Sequence, residues 1–193
     1  MAARKPPKAS APDLPVLSDL FEAATERVAA RLPLRIGGVR GGAKAWLLGS
    51  LVERLWPRTD GTSPQPPLVV VTETLQRAEE LLDDLRVFGG ALGARLFPPW
   101  DTVPYDGFSP NTEVVAQRFE ALAALQEGQC QVLITTPQSW MQGMLSPEEL
   151  RAHTFVLTIG ERYARPVLVE RLLQAGYARV DLVEAAGEFS ARG

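Results

Sequence analysis

Apolar residues recur along this chain in two rhythms that take turns. Leu68-Val69-Val70-Val71 and Val132-Leu133-Ile134 are short apolar runs without a polar break, the pattern of strands covered on both faces. Ala94 to Phe97 predicts a third short strand. Between these runs the spacing turns helical: Leu75, Ala78, Leu81, Leu82 and Leu85 predict a helix from Thr74 to Phe88, stopped by Gly89-Gly90. Val115, Phe119, Leu122 and Leu125 predict another from Thr112 to Gln126. Upstream, Ser18 reads as the N-cap of a helix carrying Leu20, Phe21, Ala24, Val28 and Ala29 up to Arg31. Leu32 to Val39 follows as a short apolar strand, and Lys44 to Leu55 as a helix through Trp46, Leu47, Leu51 and Leu55. The turn-rich stretch Arg58 to Pro67 connects that helix to the next strand. Strands and helices in alternation predict an α/β fold: a mostly parallel sheet flanked by helices on both faces.

A second pattern begins after Pro137. Ser146-Pro147-Glu148-Glu149 is a capping box with proline at the first helical position, and Phe155-Val156-Leu157-Thr158-Ile159 predicts a strand ended by Gly160. From Pro166 a helix carries Leu168, Val169, Leu172 and Leu173 to Gly176, and Ala178 to Val183 alternates as a strand. The expected organisation is a disordered tail over 1–15, an α/β domain over 16–152, and the start of a smaller α/β (α+β) domain over 153–193. Leu182 to Arg192 reads as a hairpin whose return strand lies beyond Gly193, so the chain is expected to be a fragment of a longer protein.

Composition narrows the class without deciding the function. At 193 residues, 46% hydrophobic and a net charge of -3, the chain has enough apolar surface for a sizeable core. No apolar run approaches the ~20 residues of a membrane helix. Arg4, Lys5 and Lys8 stand among alanines and prolines with no signal-peptide core. Cys130 is the only cysteine, which excludes a disulfide framework and a cysteine-based zinc site. The expected compartment is the cytoplasm, with no membrane partner. Acidic and basic residues are interspersed, so DNA gains little support as a direct ligand.

Gly38-Val39-Arg40-Gly41-Gly42-Ala43-Lys44-Ala45 lies on the phosphate-loop template G-x-x-x-x-G-K-[ST] and fails it twice. Lys44 is kept. Ala43 replaces the second glycine, adding a β-carbon where such loops take unusual backbone angles, and Ala45 has no hydroxyl for Mg²⁺. On Gly38, Gly41, Gly42, Ala43, Lys44 and Ala45 alone two readings stand: a glycine-rich β-α turn with a chance lysine, or a nucleotide site without its chemistry. No acidic residue closes the strand at Val132 to Ile134, which runs into Thr135-Thr136-Pro137 where a metal-holding Asp belongs. No metal or catalytic residue is expected. His153, the sole histidine, is expected on the surface and leaves no Ser-His-Asp set to assemble. Asp101, Asp106 and Glu113 invite an acid/base reading, but Pro98, Pro99, Pro104 and Pro110 make their segment extended and rigid. With Trp100, Tyr105 and Phe108 it is expected to pack aromatics over the sheet edge, a partner surface being the second reading.

That segment, Leu96-Phe-Pro-Pro-Trp-Asp-Thr-Val-Pro-Tyr-Asp-Gly-Phe-Ser-Pro110, followed by Glu113-Val-Val-Ala-Gln-Arg-Phe119, resembles the N-terminal module of bacterial transcription-repair coupling factors. Val132-Leu-Ile-Thr-Thr-Pro137, Met141-Gln142, Gly176-Tyr177, Val180-Asp181 and Gly187-Glu-Phe-Ser-Ala-Arg-Gly193 follow in that family's order. The resemblance covers roughly residues 30 to 193. It implies a parent that is an ATP-dependent DNA translocase displacing stalled RNA polymerase, with ATP, Mg²⁺, DNA and polymerase handled by downstream domains and no cofactor in this chain. It further implies a module similar to the first domain of UvrB with a degenerate phosphate loop, and an inserted domain, entered near His153, that binds the damage-recognition protein UvrA. Arg192, in Glu188-Phe-Ser-Ala-Arg192-Gly193, matches the arginine of a UvrA-facing element. The long tyrosine-rich DNA-clamping hairpin of UvrB has no counterpart between Pro98 and Asn111. Two other functions remain beside the UvrA adaptor: a domain that still binds or hydrolyses ATP through Lys44, and an autoinhibitory lid in contact with the parent's downstream domains.

Overall fold

The computed structural model describes residues 14–55, 66–88, 92–103 and 107–191. Their elements run in the order α1 (Leu14–Ala29), α2 (Ala43–Leu55), β1 (Leu68–Val71), α3 (Leu75–Phe88), β2 (Ala94–Phe97), α4 (Thr112–Gln126), β3 (Val132–Thr135), α5 (Pro137–Met141), α6 (Pro147–His153), α7 (Arg165–Gln174), β4 (Ala178–Arg179) and β5 (Glu188–Phe189). β1, β3 and β2 lie side by side in that order and pair in parallel, with Leu68 and Ala94 both level with Val132. The protein is thus an α/β fold with a small parallel sheet flanked by helices.

The period of two along the strands sorts the core into two layers. Val132, Ile134 and Leu96 point to one face, where Ala45 and Val52 of α2 and Ala78, Leu81 and Leu85 of α3 cover them. Leu133 and Phe97 point to the other, against Ala121 and Ala124 of α4 and the thiol of Cys130. All four residues of β3 are buried, as its unbroken apolar run demands. β1 does not follow that expectation. Its burial alternates, and Val69 and Val71 are exposed because α4 covers β2 and not this edge strand. Outside the sheet, Phe21 and Ala24 of α1 pack on Leu51, with Phe21 edge-on to Trp46 at 5.2 Å.

Four local expectations need correction. Helix α1 starts at Leu14, so Ser18 lies inside it and not at the N-cap position. Leu32 to Val39 forms no strand. Its first groups are already spent: Leu32 N–H donates to the Arg27 carbonyl, Pro33 has no N–H, and the Pro33 carbonyl accepts both Nε and Nη2 of Arg27. Phe155 to Ile159 also stays unpaired, with Val156, Leu157 and Ile159 exposed, since no other strand among the described residues lies beside it. The expected hairpin is replaced by a two-residue parallel pair, Ala178 level with Glu188 and Arg179 with Phe189. Gly187 (φ 85) and the Glu188 carboxylate, which accepts the N–H groups of Glu184 (2.8 Å) and Ala185 (3.0 Å), fold the intervening residues so that the chain returns in the same direction. Gly89-Gly90 lies outside the described residues, whereas the capping box forms as read: Glu149 N–H donates to Ser146 Oγ and Ser146 N–H to Glu149 Oε2.

Candidate functional site

The glycine turn leads directly into α2, and Gly38, Gly41, Gly42 and Ala45 each have a structural task. Gly38 (φ 80) and Gly41 (φ 54) adopt left-handed angles that a β-carbon would strain. The turn then closes on itself: Lys44 N–H donates to the Gly41 carbonyl and Trp46 N–H to the Gly42 carbonyl, both at 3.0 Å. These bonds join the turn to the first turn of α2. Gly42 is spoken for as well, since a β-carbon on it would lie 2.6 Å from the ring of Phe88 at the end of α3. Ala43 and Lys44 are exposed, and the Lys44 side chain has no hydrogen bond or ion pair among the described residues.

Ala45 is 0% exposed. Its methyl group belongs to the core layer of Val52, Ala78, Leu85 and Ile134, so the position where the template requires a metal-binding hydroxyl is directed into hydrocarbon. Ala45→Thr forces an oxygen and a methyl into that layer, and overpacking with an unpaired hydroxyl costs about 2 kcal/mol or more. The midpoint of thermal unfolding should fall by roughly 4–8 °C, whereas a roomy metal site would accept the threonine unchanged.

At the carboxyl ends of the strands, where parallel α/β sheets place their ligands, lies a buried cation. Arg118 of α4 is only 2% exposed. Its guanidinium stacks between Phe97 (4.1 Å) and Trp100 (4.2 Å), donating Nη1 to the Pro98 carbonyl (2.7 Å) and Nη2 to the Gly143 carbonyl (3.1 Å). Burial pushes its pKa down to about 10, which leaves it charged at neutral pH. Trp100 N–H donates to Gln142 Oε1 (2.7 Å), and Asp101 accepts the N–H of Asn111, the residue that caps α4. Asp101 is thereby a structural acceptor, and Glu113 sits in the first turn of α4. Pro104, Tyr105 and Asp106 lie outside the described residues. The segment only partly matches its reading as aromatics packed over the sheet: Trp100 is stacked, whereas Phe108 is 78% exposed.

Arg118 was missed as a site residue because Val115, Phe119, Leu122 and Leu125 define a different helical stripe. The buried face of α4 is Arg118, Ala121 and Ala124, spaced at three residues, and Phe119 is exposed. Two alanines in line with an arginine were the available signal: small residues bring the helix close to the sheet, and a long side chain on the same face must then end among polar atoms.

Among the described residues the remaining candidates do not assemble a reaction centre. His153 is exposed, its Nδ1 2.8 Å from the Glu149 carbonyl. Cys130 is buried, which pushes its thiol up to about 11, away from the reactive thiolate. Among the described residues no group of three His, Cys, Asp or Glu can hold a metal ion, and no helix is long and apolar enough to cross a membrane. Arg192 lies outside the described residues, three positions after β5.

Two carboxylates nearby make acid a probe of this region. Glu149 is held below its usual 4.5 by the N–H and hydroxyl of Ser146, and Glu188 by the N–H groups of Glu184 and Ala185. With lowered values in the folded state, their stabilisation is complete above 4.5 and is lost as pH falls through those lowered values. Hydrogen exchange should therefore show the amides of Ser146, Glu184 and Ala185 losing protection below pH 4.5 ahead of β3. Glu188→Gln should weaken protection of Glu184 and Ala185 already at neutral pH.

These features define an α/β protein whose parallel sheet is flanked by a glycine turn leading into α2 and by a proline-aromatic segment pinned by a buried arginine. No protein-family model matches the chain. It is 32% identical to the transcription-repair-coupling factor of Escherichia coli strain K12 over 158 residues, 82% of the chain and 13% of that relative. It is 36% identical to that of Mycobacterium tuberculosis over 137 residues (67% of the chain, 11% of the relative) and 31% identical to that of Myxococcus xanthus over 180 residues (90% and 14%). The chain belongs to the transcription-repair-coupling factor family and spans about an eighth of the length of these relatives.

Proposed function

We propose that the chain is the N-terminal, UvrB-like module of a transcription-repair coupling factor and acts as a noncatalytic adaptor, recruiting UvrA in transcription-coupled nucleotide excision repair. The parent would be the ATP-dependent DNA translocase that displaces stalled RNA polymerase, and ATP, Mg²⁺ and DNA would be the business of its other domains in the cytoplasm. The single observation that carries the noncatalytic part is the full burial of Ala45 at the metal-ligand position of the loop template. On this reading Gly38, Gly41, Gly42, Ala43, Lys44 and Ala45 are a degenerate nucleotide loop retained as a turn. Arg192 is the proposed UvrA contact, a guanidinium suited to paired hydrogen bonds with a partner carboxylate.

Titration of UvrA against the full-length protein, wild type and Arg192→Ala, tests this. The expected result is saturable binding that weakens about tenfold in the variant, the loss of one good charge-assisted contact. Equal affinities remove Arg192 from the interface, and no binding by either protein removes the adaptor function itself.

A further inference from the structure

A cleft of about 360 Å³ opens where the end of α6 meets α7. Ala152, His153 and Phe155 line one side. Arg171, Gln174 and Ala175 line the other, at the spacing that puts three residues on one face of a helix. The cleft combines an unspent cationic donor with a lining that includes the ring of Phe155. The Arg171 guanidinium stands 5.8 Å from the centroid of Phe155 and has no hydrogen bond or ion pair among the described residues. His153 meets the Glu149 carbonyl through Nδ1, which leaves Nε2 on the opposite edge of the ring. Of the neighbouring carboxylates, Glu149 accepts Ser146 N–H in the capping box, and Glu170 accepts the side-chain amide of Gln174 at 3.4 Å. That last bond uses Nε2 of Gln174 and leaves its Oε1 as an acceptor.

A forked cation, a free acceptor and an aromatic-and-alanine floor match one ligand chemistry. We propose that this cleft is a docking pocket for an acidic side chain of a protein partner. The carboxylate pairs with both arms of Arg171, the methylene stem lies on Phe155, Ala152 and Ala175, and a backbone N–H of the same peptide donates to Gln174 Oε1. A free phosphate matches the cation but has neither the stem nor the N–H. The proposal does not rest on Arg192 and stands whether or not that residue contacts UvrA.

The test is a nitrogen-edited NMR titration of the chain with acetyl-Ala-Glu-Ala-amide, with acetyl-Ala-Gln-Ala-amide and inorganic phosphate at matched ionic strength as comparisons. The expected result is saturable shifts at Arg171 Nε, the Gln174 side-chain amide and the amides of His153 and Phe155, from the glutamate peptide alone. Arg171→Gln should weaken binding about tenfold and Arg171→Lys should recover only part of it, because lysine cannot pair through a fork. Gln174→Met, of similar size, should weaken binding with the spectrum otherwise unchanged, which keeps the assignment testable if an Arg171 variant folds poorly. Equal shifts from the glutamine peptide, equal shifts from phosphate, or shifts at other residues only would each overturn the proposal.

Discussion

Arg118→Ala should lower the midpoint of thermal unfolding by about 6–12 °C, the shift expected when a protein of this size loses roughly 3 kcal/mol. The loss has three parts. Two carbonyls, Pro98 and Gly143, lose a charged donor, the first at a buried bond and the second at a half-buried one. The space between Phe97 and Trp100 empties, and two cation–π contacts disappear at a desolvated site. Against this stands relief of the burial that holds the guanidinium down at about 10, which is why the net figure stays below the sum of the contacts. Arg118→Lys should recover less than half of the loss, since an ammonium neither stacks flat between two rings nor reaches both carbonyls. Differential scanning calorimetry checks both. A midpoint unchanged in Arg118→Ala would mean that the aromatic segment is held by its prolines alone.

Gly93→Ala is the second large effect. A β-carbon at this position, just before β2, would run into the backbone carbonyl oxygen of Gln129. That neighbour cannot turn aside as a side chain can: Gly93 accepts N–H groups from Gln131 and Val132 and donates to the Gln131 side chain, so the two chain segments are tied at the start of the sheet. The cost should be about 3 kcal/mol or more, seen as a fall in midpoint comparable to that of Arg118→Ala, with reduced soluble yield. Gly37→Ala, where no atom lies within 4 Å, should leave the midpoint nearly unchanged and serves as the control.

The contrast between β3 and Phe155 to Ile159 explains how much of this fold was legible in the chain. Both are apolar, β-branched runs, and both predict a strand. β3 becomes one because β1 and β2 supply ladder partners on either side, whereas Phe155 to Ile159 has no partner among the described residues. Strand propensity is a statement about a neighbour that local pattern does not contain. Helices, whose hydrogen bonds are internal, were read within a few residues at α3, α4 and α7. Even there the choice of buried face failed at α4, where the packing of two alanines outweighed the larger Phe119.

The glycine turn was legible as a departure from a motif and illegible as a structure. Ala43 and Ala45 announced that a glycine and a hydroxyl were absent. The spacing did not reveal that the Phe88 ring rests against Gly42, nor that the Ala45 methyl completes the core beneath β3. Those contacts give Gly42 and Ala45 a physical role, since both positions serve packing.

The proposal that the module keeps the scaffold of a nucleotide-binding fold without the nucleotide is tested most directly by calorimetric titration of the chain with ATP and Mg²⁺. The account predicts no saturable heat up to millimolar ATP, for the wild type and for Lys44→Ala alike. A saturable isotherm in the wild type that disappears in Lys44→Ala would contradict it.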